Sequence, residues 1–335
     1  MNKPKLAIVI HAEEEFDWDK GFYRSNTSVN HGDELIAVVE EIIRRGGKVT
    51  LAMDYPFVSS TDGRKVIEHF LPFENEAIEF ATHLHPWVNP PFMHDIDREK
   101  NRLSFPGNLP RELEFDKLKM LTERVQEETG TRPVTYLAGR YGIGINTVGI
   151  LKELGYKIDL SISAYSNFSH VEGPNFVRYT NKMHTKDGLI YIPHTCSMGA
   201  ITQAFGNHLN LNPSTIERIQ QSKMSSLLYR LLRISKLRLS PEGFSYLQMR
   251  TMTERQIAIG QEEFVLSFHS PSVSVGGTPY VRSEKVLAEF KEALYQYIDW
   301  FNSIESSSTF LPAKMAEEKI ASNASCCDKT AKALS

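Results

Sequence analysis

The sequence predicts an α/β barrel, and three observations carry that expectation. Short apolar runs alternate with helical periodicity through most of the 335 residues. This is the pattern of repeated βα units, in which each crossover helix returns the chain so that successive strands pair in parallel. No Gly-rich phosphate loop accompanies the alternation, since Gly139-Arg-Tyr-Gly-Ile-Gly144 lacks the GxGxxG spacing of a dinucleotide turn. The titratable residues that stand out fall just after apolar runs, where a barrel carries its chemistry.

Each element has its own signal. Leu6 to Ile10 is uninterrupted and apolar, a buried strand. Asp33 to Arg45 (DELIAVVEEIIRR) has apolar residues at helical spacing and stops at Gly46-Gly47. Val49 to Met53 and Ala77 to Thr82 read as strands, the second leading into His83. Phe115 to Thr129 is a charged amphipathic helix ended by Gly130. Val134 to Ala138 is a strand, and Ile145 to Leu154 a helix ended by Gly155. Ile158 to Ile162, Leu189 to Ile192 and Phe264 to Phe268 bring the strands to about seven or eight. A long helix from Ser283 to Phe301 follows.

Two stretches break the alternation. Residues 204–255 form a helical insertion, within which Ser222 to Leu239 reads as an amphipathic helix with a basic face of Lys223, Arg230, Arg233, Lys236 and Arg238. Such a helix packs on the barrel or meets an anionic membrane surface or a phosphate-bearing substrate. Residues 1–312 are expected to be the barrel, and 313–335 a flexible polar tail.

Charge and cysteine usage narrow the function. With 38 Lys and Arg against 41 Asp and Glu, the net charge is −3, which argues against nucleic acid as a partner. Apolar residues at 41% and charged residues at 24% exclude a wholly disordered chain. Cys196, Cys326 and Cys327 make neither a disulfide framework nor a CxxC zinc motif. The apolar run at Leu6 is too short for a secretory signal or a membrane span, so a cytoplasmic location is expected.

The candidate chemistry lies at strand ends. In extended chain, positions i and i+2 share a face, so His11 and Glu13 point the same way, as do His83 and His85. Two histidines and a carboxylate from another strand suit a metal site with open positions for water. Arg140, Asp159 and His269 also border strands, although each could be a turn or core residue.

In order along the chain, IHAEEEFDW, ATHLHPW, LAGRYG, GYKIDLSIS and VLSFHS resemble the five motifs of the NodB-homology polysaccharide deacetylases, carbohydrate esterase family 4. The similarity is to a cytoplasmic-type HxHPW branch and runs from about Leu6 to Phe301. The resemblance implies a distorted (β/α)7-type barrel with one divalent metal, zinc being the expected ion. It implies Glu13, His83 and His85 as metal ligands and His269 as the general acid. It assigns Asp159 to hold that histidine, Arg140 to orient the base, and the Tyr141 backbone to stabilise the oxyanion. Trp87 is a candidate sugar platform, and Glu14 joins Trp87 and Tyr141 as a candidate substrate contact. The implied activity is N-deacylation of an amino sugar in a surface polysaccharide or its nucleotide- or lipid-linked precursor, with peripheral contact to the inner membrane where the substrate is lipid-linked. One position departs from the pattern. The family's basic aspartate is here His11, which could act as the base when neutral or could close the metal site as a further ligand, leaving a glycan- or partner-binding protein without hydrolysis.

Overall fold

A computed structural model describes residues 3–18, 21–93 and 100–317. Its strands are β1 (Lys5–Ala12), β2 (Val49–Met53), β3 (Ile78–Leu84), β4 (Thr135–Ala138), β5 (Ile158–Asp159), β6 (His184–Lys186), β7 (Leu189–Tyr191), β8 (Cys196–Gly199), β9 (Ser235–Arg238), β10 (Glu263–His269) and β11 (Ser308–Thr309). The main sheet runs β10-β1-β2-β3-β4-β5-β7-β6, with β11 also against β1. Every neighbouring pair from β10 through β7 is parallel, and β6 returns antiparallel to β7. The sheet curls into an open, distorted barrel flanked by helices, as the βα alternation predicts.

The strand period of two explains both faces. Leu6, Ile8, Ile10 and Ala12 face outward, into one apolar cluster with residues of the helices Gly32–Arg44, Thr61–Phe70 and Glu284–Asn302. Ala7 and Val9 point inward with Ala52, Ala81, Leu137, Ile158 and Val265. Continuing that inward row beyond Val9 gives His11 and then Glu13. The alanines at 7, 52 and 81 leave room inside the barrel, and Phe310, Met315 and Ala316 fill it. The expected domain boundary at 312 therefore falls too early: Met315 and Ala316 are buried, and the Ala313 N–H donates to Glu79 Oε2 at 3.1 Å. Residues 318–335, the rest of the expected tail, lie outside the described residues.

The insertion differs most from expectation. Its helices are Gln203–Leu211, Pro213–Gln221, Ser225–Leu231 and Tyr246–Ala258, and the expected helix over 222–239 ends at Leu231. Arg233 takes φ +47° and turns the chain. The next residues, Ile-Ser-Lys-Leu-Arg-Leu, alternate with period two and pair as β9 antiparallel to β8. No continuous basic face forms, because Arg238 turns into the protein and the Lys236 ammonium donates to Ser166 Oγ. The hairpin also seals the gap between β7 and β10. Leu239 N–H donates to the Thr195 carbonyl (2.9 Å), Ser267 N–H to the Leu239 carbonyl (3.1 Å), and Val265 N–H to Thr195 Oγ1 (2.8 Å). No helix among the described residues is long and apolar enough to cross a membrane.

Candidate metal centre

β1 and β10 run in register, with His11 beside His269, and β3 carries His83 in register with Leu137 of β4. These strand ends converge on a cavity of about 440 Å³. Glu13 Oε2 lies 3.3 Å from His83 Nε2 and 3.6 Å from His85 Nε2. Both histidines are anchored through the other ring nitrogen. His83 Nδ1 donates to the Leu137 carbonyl (3.1 Å), and His85 Nδ1 to Glu14 Oε2 (2.8 Å). A carbonyl or carboxylate on Nδ1 fixes the tautomer that leaves Nε2 free to bind a metal.

Electrostatics agree with that donor set. Burial pushes the Glu13 carboxyl well above its ordinary range, a pull that His85 opposes and Glu14 and Asp54 reinforce. Burial, then His85, pushes His83 well down, so its ring is held neutral as ligation requires. A carboxyl buried against two imidazole Nε2 atoms is a donor set that a divalent cation would satisfy. Ligand atoms of His11, Glu13 and His83 lie within 4.8 Å of one another, as do those of Glu14, Asp54 and His85.

Glu14 sits behind this centre. It is fully buried, and its second oxygen accepts from Trp87 Nε1 at 2.9 Å, so both oxygens are engaged away from the cavity. As a substrate contact it is therefore misplaced; it orients His85 and Trp87. Asp54 Oδ2 accepts the Glu14 N–H (3.2 Å), while Oδ1 caps the helix Tyr55–Ser59 through Phe57 N–H (2.7 Å). Trp87 stacks on His85 at 4.2 Å and lines the cavity. Lys117 secures the same loop from below, its buried ammonium donating to the carbonyls of Pro86 (3.0 Å), Pro91 (2.8 Å) and Asn89.

His11 occupies the middle of a row of imidazoles, with ring centroids 5.0 Å from His83, 5.5 Å from His194 and 4.8 Å from His269. Its Nε2 is buried without a hydrogen-bond partner among the described residues. Burial first, then His269, His83 and His194, pushes its pKa well down, so it is a neutral acceptor. His194 Nδ1 meets Ser267 Oγ at 2.9 Å, and burial lowers its pKa to about 3.

The expected partner of His269 is replaced. Asp159 accepts the Ser161 N–H at 2.7 Å, and its other oxygen has no partner among the described residues. His269 Nδ1 instead lies 3.0 Å from both oxygens of Glu242, a fully buried residue of the loop after β9. Arg238 Nη2 donates to Glu242 (2.9 Å), and its Nη1 reaches the Tyr141 hydroxyl at 3.3 Å. Arg140 does not orient His11: its Nη1 donates to Asn101 and Ser104. Arg140 and Tyr141 take φ of +56° and +59°, strained values that turn both toward the cavity they line. Gly139 permits that turn, because a Cβ there would stand 2.4 Å from the Leu84 carbonyl oxygen.

Tyr280 stacks parallel to His269 at 6.2 Å, and the Trp18 edge approaches it at 5.8 Å. Both are more than a third exposed at the cavity mouth. The strand-end rule that marks Glu13 and His269 would also have marked His194, just after Leu189–Ile192. Glu242 could be found only by reading 234–239 as a strand.

No family model matches the sequence, and no curated protein sequence matches it. Solved structures do share its fold. A 4-alpha-glucanotransferase from Thermococcus litoralis superposes with TM-score 0.51 at 12% identity, over 94% of this chain and 40% of that protein, so this chain spans less than half of it. A putative polysaccharide deacetylase from Mycobacterium smegmatis aligns at TM-score 0.49 and 12% identity, covering 96% of this chain and 92% of the other. Puue allantoinase aligns at TM-score 0.48 and 12% identity, covering 94% and 90%. At such identity the likeness to the glucanotransferase is one of fold.

Proposed function

We propose that this protein is a metal-dependent hydrolase that removes an acyl group from the nitrogen of an amino sugar, in a surface polysaccharide or its nucleotide- or lipid-linked precursor. The observation that carries the reading is Glu13 faced by two Nε2 atoms whose rings are locked by Leu137 and Glu14. The order of the five motifs supports the reaction type. The fold shared with a glucan-transferring enzyme supports a sugar substrate. Two imidazoles and a carboxylate suit zinc, and in this reading the substrate is met on the cytoplasmic side.

An ion held there supplies Lewis acidity toward an amide carbonyl and a nucleophile at neutral pH. The chain's residues do the rest. His11, neutral and with a free Nε2, is placed to accept a proton from the attacking water. His269, tied through Nδ1 to Glu242, keeps Nε2 for the cavity it lines and donates the proton to the departing amine. Trp87, Trp18 and Tyr280 offer ring surfaces to a sugar, and the apolar walls exclude bulk water.

A second reading has its own observation. The ligand atoms of His11 cluster with those of Glu13 and His83. If His11 ligates, it occupies the position that water needs, and the protein binds glycan without hydrolysing it. Zinc content and acetate release from N-acetylated amino sugars, compared across wild type, His83→Ala and His11→Ala, decide between them. Hydrolysis is expected with about one zinc per chain, lost in His83→Ala but kept in an inactive His11→Ala. Zinc lost in both variants favours the second reading. No zinc in wild type supplied with the ion refutes both.

A further inference from the structure

The geometry points to an anion-binding subsite at Arg140, which holds a carboxylate or phosphate ester carried by the substrate; it rests on the proposed N-deacylation and narrows its substrate class. Arg140 lines the cavity, half-buried, with its guanidinium over the rings of Phe105 (4.0 Å) and Phe22 (4.5 Å). Nη1 is anchored to the Asn101 carbonyl (3.2 Å), Asn101 Oδ1 (2.9 Å) and Ser104 Oγ. All three acceptors are neutral. Among the described residues, no carboxylate pairs with Arg140, and its Nε and Nη2 make no hydrogen bond.

Arg238, also half-buried, is by contrast paired with the Glu242 carboxylate. A half-buried cation whose acceptors are all neutral is left with charge to offer, and a ligand can supply the opposite sign. Burial lowers the Arg140 pKa only to about 10, so it is a cation at neutral pH. Its aromatic flanks hold the fork in one plane and keep the local dielectric low, which strengthens a two-point contact with an anion. The strained backbone at Arg140 and Tyr141 aims the side chain before any ligand arrives. A substrate bearing its own negative charge would give Arg140 the counter-ion that its neutral acceptors do not.

The test is direct binding to the zinc-loaded full chain, read by calorimetry and by fluorescence of the cavity tryptophans Trp18 and Trp87. The probes are N-acetylglucosamine, N-acetylglucosamine 6-phosphate and N-acetylmuramic acid. At least one charged sugar is expected to bind about tenfold or more tightly than the neutral one. Arg140→Gln should erase that preference, and Arg140→Lys should keep part of it as a point charge. Which charged probe is preferred separates phosphate from carboxylate. No preference in wild type, or a preference that survives Arg140→Gln, overturns the subsite. If Arg140→Gln fails to fold, an Arg140→Lys variant with unchanged preference for both charged probes over the neutral one refutes the two-point contact, and a reduced preference supports it. Acetate release is scored separately. Charge preference without hydrolysis of any probe leaves the subsite standing and counts against the deacylase reading.

Discussion

Glu242→Gln keeps the size of the side chain and removes its charge. In the wild type its two oxygens receive His269 N–H (3.0 Å), His269 Nδ1 (3.0 Å), Ser272 Oγ (2.6 Å) and Arg238 Nη2 (2.9 Å). Burial alone would raise the Glu242 pKa, but His269, Arg238 and Ser272 together hold it at about 2, against 4.5 for an ordinary glutamate. At about 1.4 kcal/mol per pH unit, that gap makes the ionised carboxylate worth about 3 kcal/mol at pH 7. The folded pKa lies below the unfolded one, so this contribution is complete above about pH 5 and is lost as pH falls through about 2, with about half of it left at pH 3. Glutamine has no such titration. Paired urea unfolding should therefore show wild type ahead by about 3 kcal/mol at pH 7 and by about half that at pH 3. Bound zinc should be unchanged, since no metal-facing nitrogen touches Glu242. Turnover should fall on the order of 10²- to 10⁴-fold, because His269 loses the anion that sets its tautomer. A gap below about 1 kcal/mol at pH 7, or one equal at both pH values, would refute the reasoning.

Three further outcomes follow from other parts of the fold. Glu14→Gln should weaken zinc binding about 10- to 100-fold by releasing His85, measured by competition with a chelator, and unchanged affinity would mean that Glu14 does not hold the ligand. Glu79 is raised to about 7 by burial, against the pull of Thr135, Ala313 and Thr50. Its folded pKa exceeds the unfolded one, so wild-type stability relative to Glu79→Gln should fall as pH rises from about 4.5 to about 7 and level off above, leaving the variant ahead by about 1–3 kcal/mol at pH 8. Matching denaturation curves from pH 5 to pH 8 would contradict that placement. Met315→Ala should cost about 2–4 kcal/mol by emptying the barrel floor, whereas a change under about 0.5 kcal/mol would put Met315 outside the core.

Much of this protein is local and therefore legible in its chain. Strands such as Leu6–Ile10 and helices such as Asp33–Arg45 announce themselves, because burial on one face imposes a period on which residues are apolar. The same period aligns His11 with Glu13 and His83 with His85, so that part of the site can be assembled from spacing alone. What tertiary structure decided is which groups meet when their separation along the chain is large. His269 finds Glu242 rather than Asp159 because the β8-β9 hairpin seals the seam between β7 and β10 and carries its own carboxylate to the strand end. The basic run 222–239 looked helical because Leu and Arg recur at both helical and strand spacing. Pairing with Cys196–Gly199 chose the strand for Ser235–Arg238, while Ser225–Leu231 stayed helical. Met315 and Ala316 lie in a polar stretch that reads as tail, and only the space left by Ala7, Ala52 and Ala81 makes them core. That no carboxylate pairs with Arg140 among the described residues is likewise a fact of three dimensions: a sequence shows which charges exist, whereas folding decides which of them are paired.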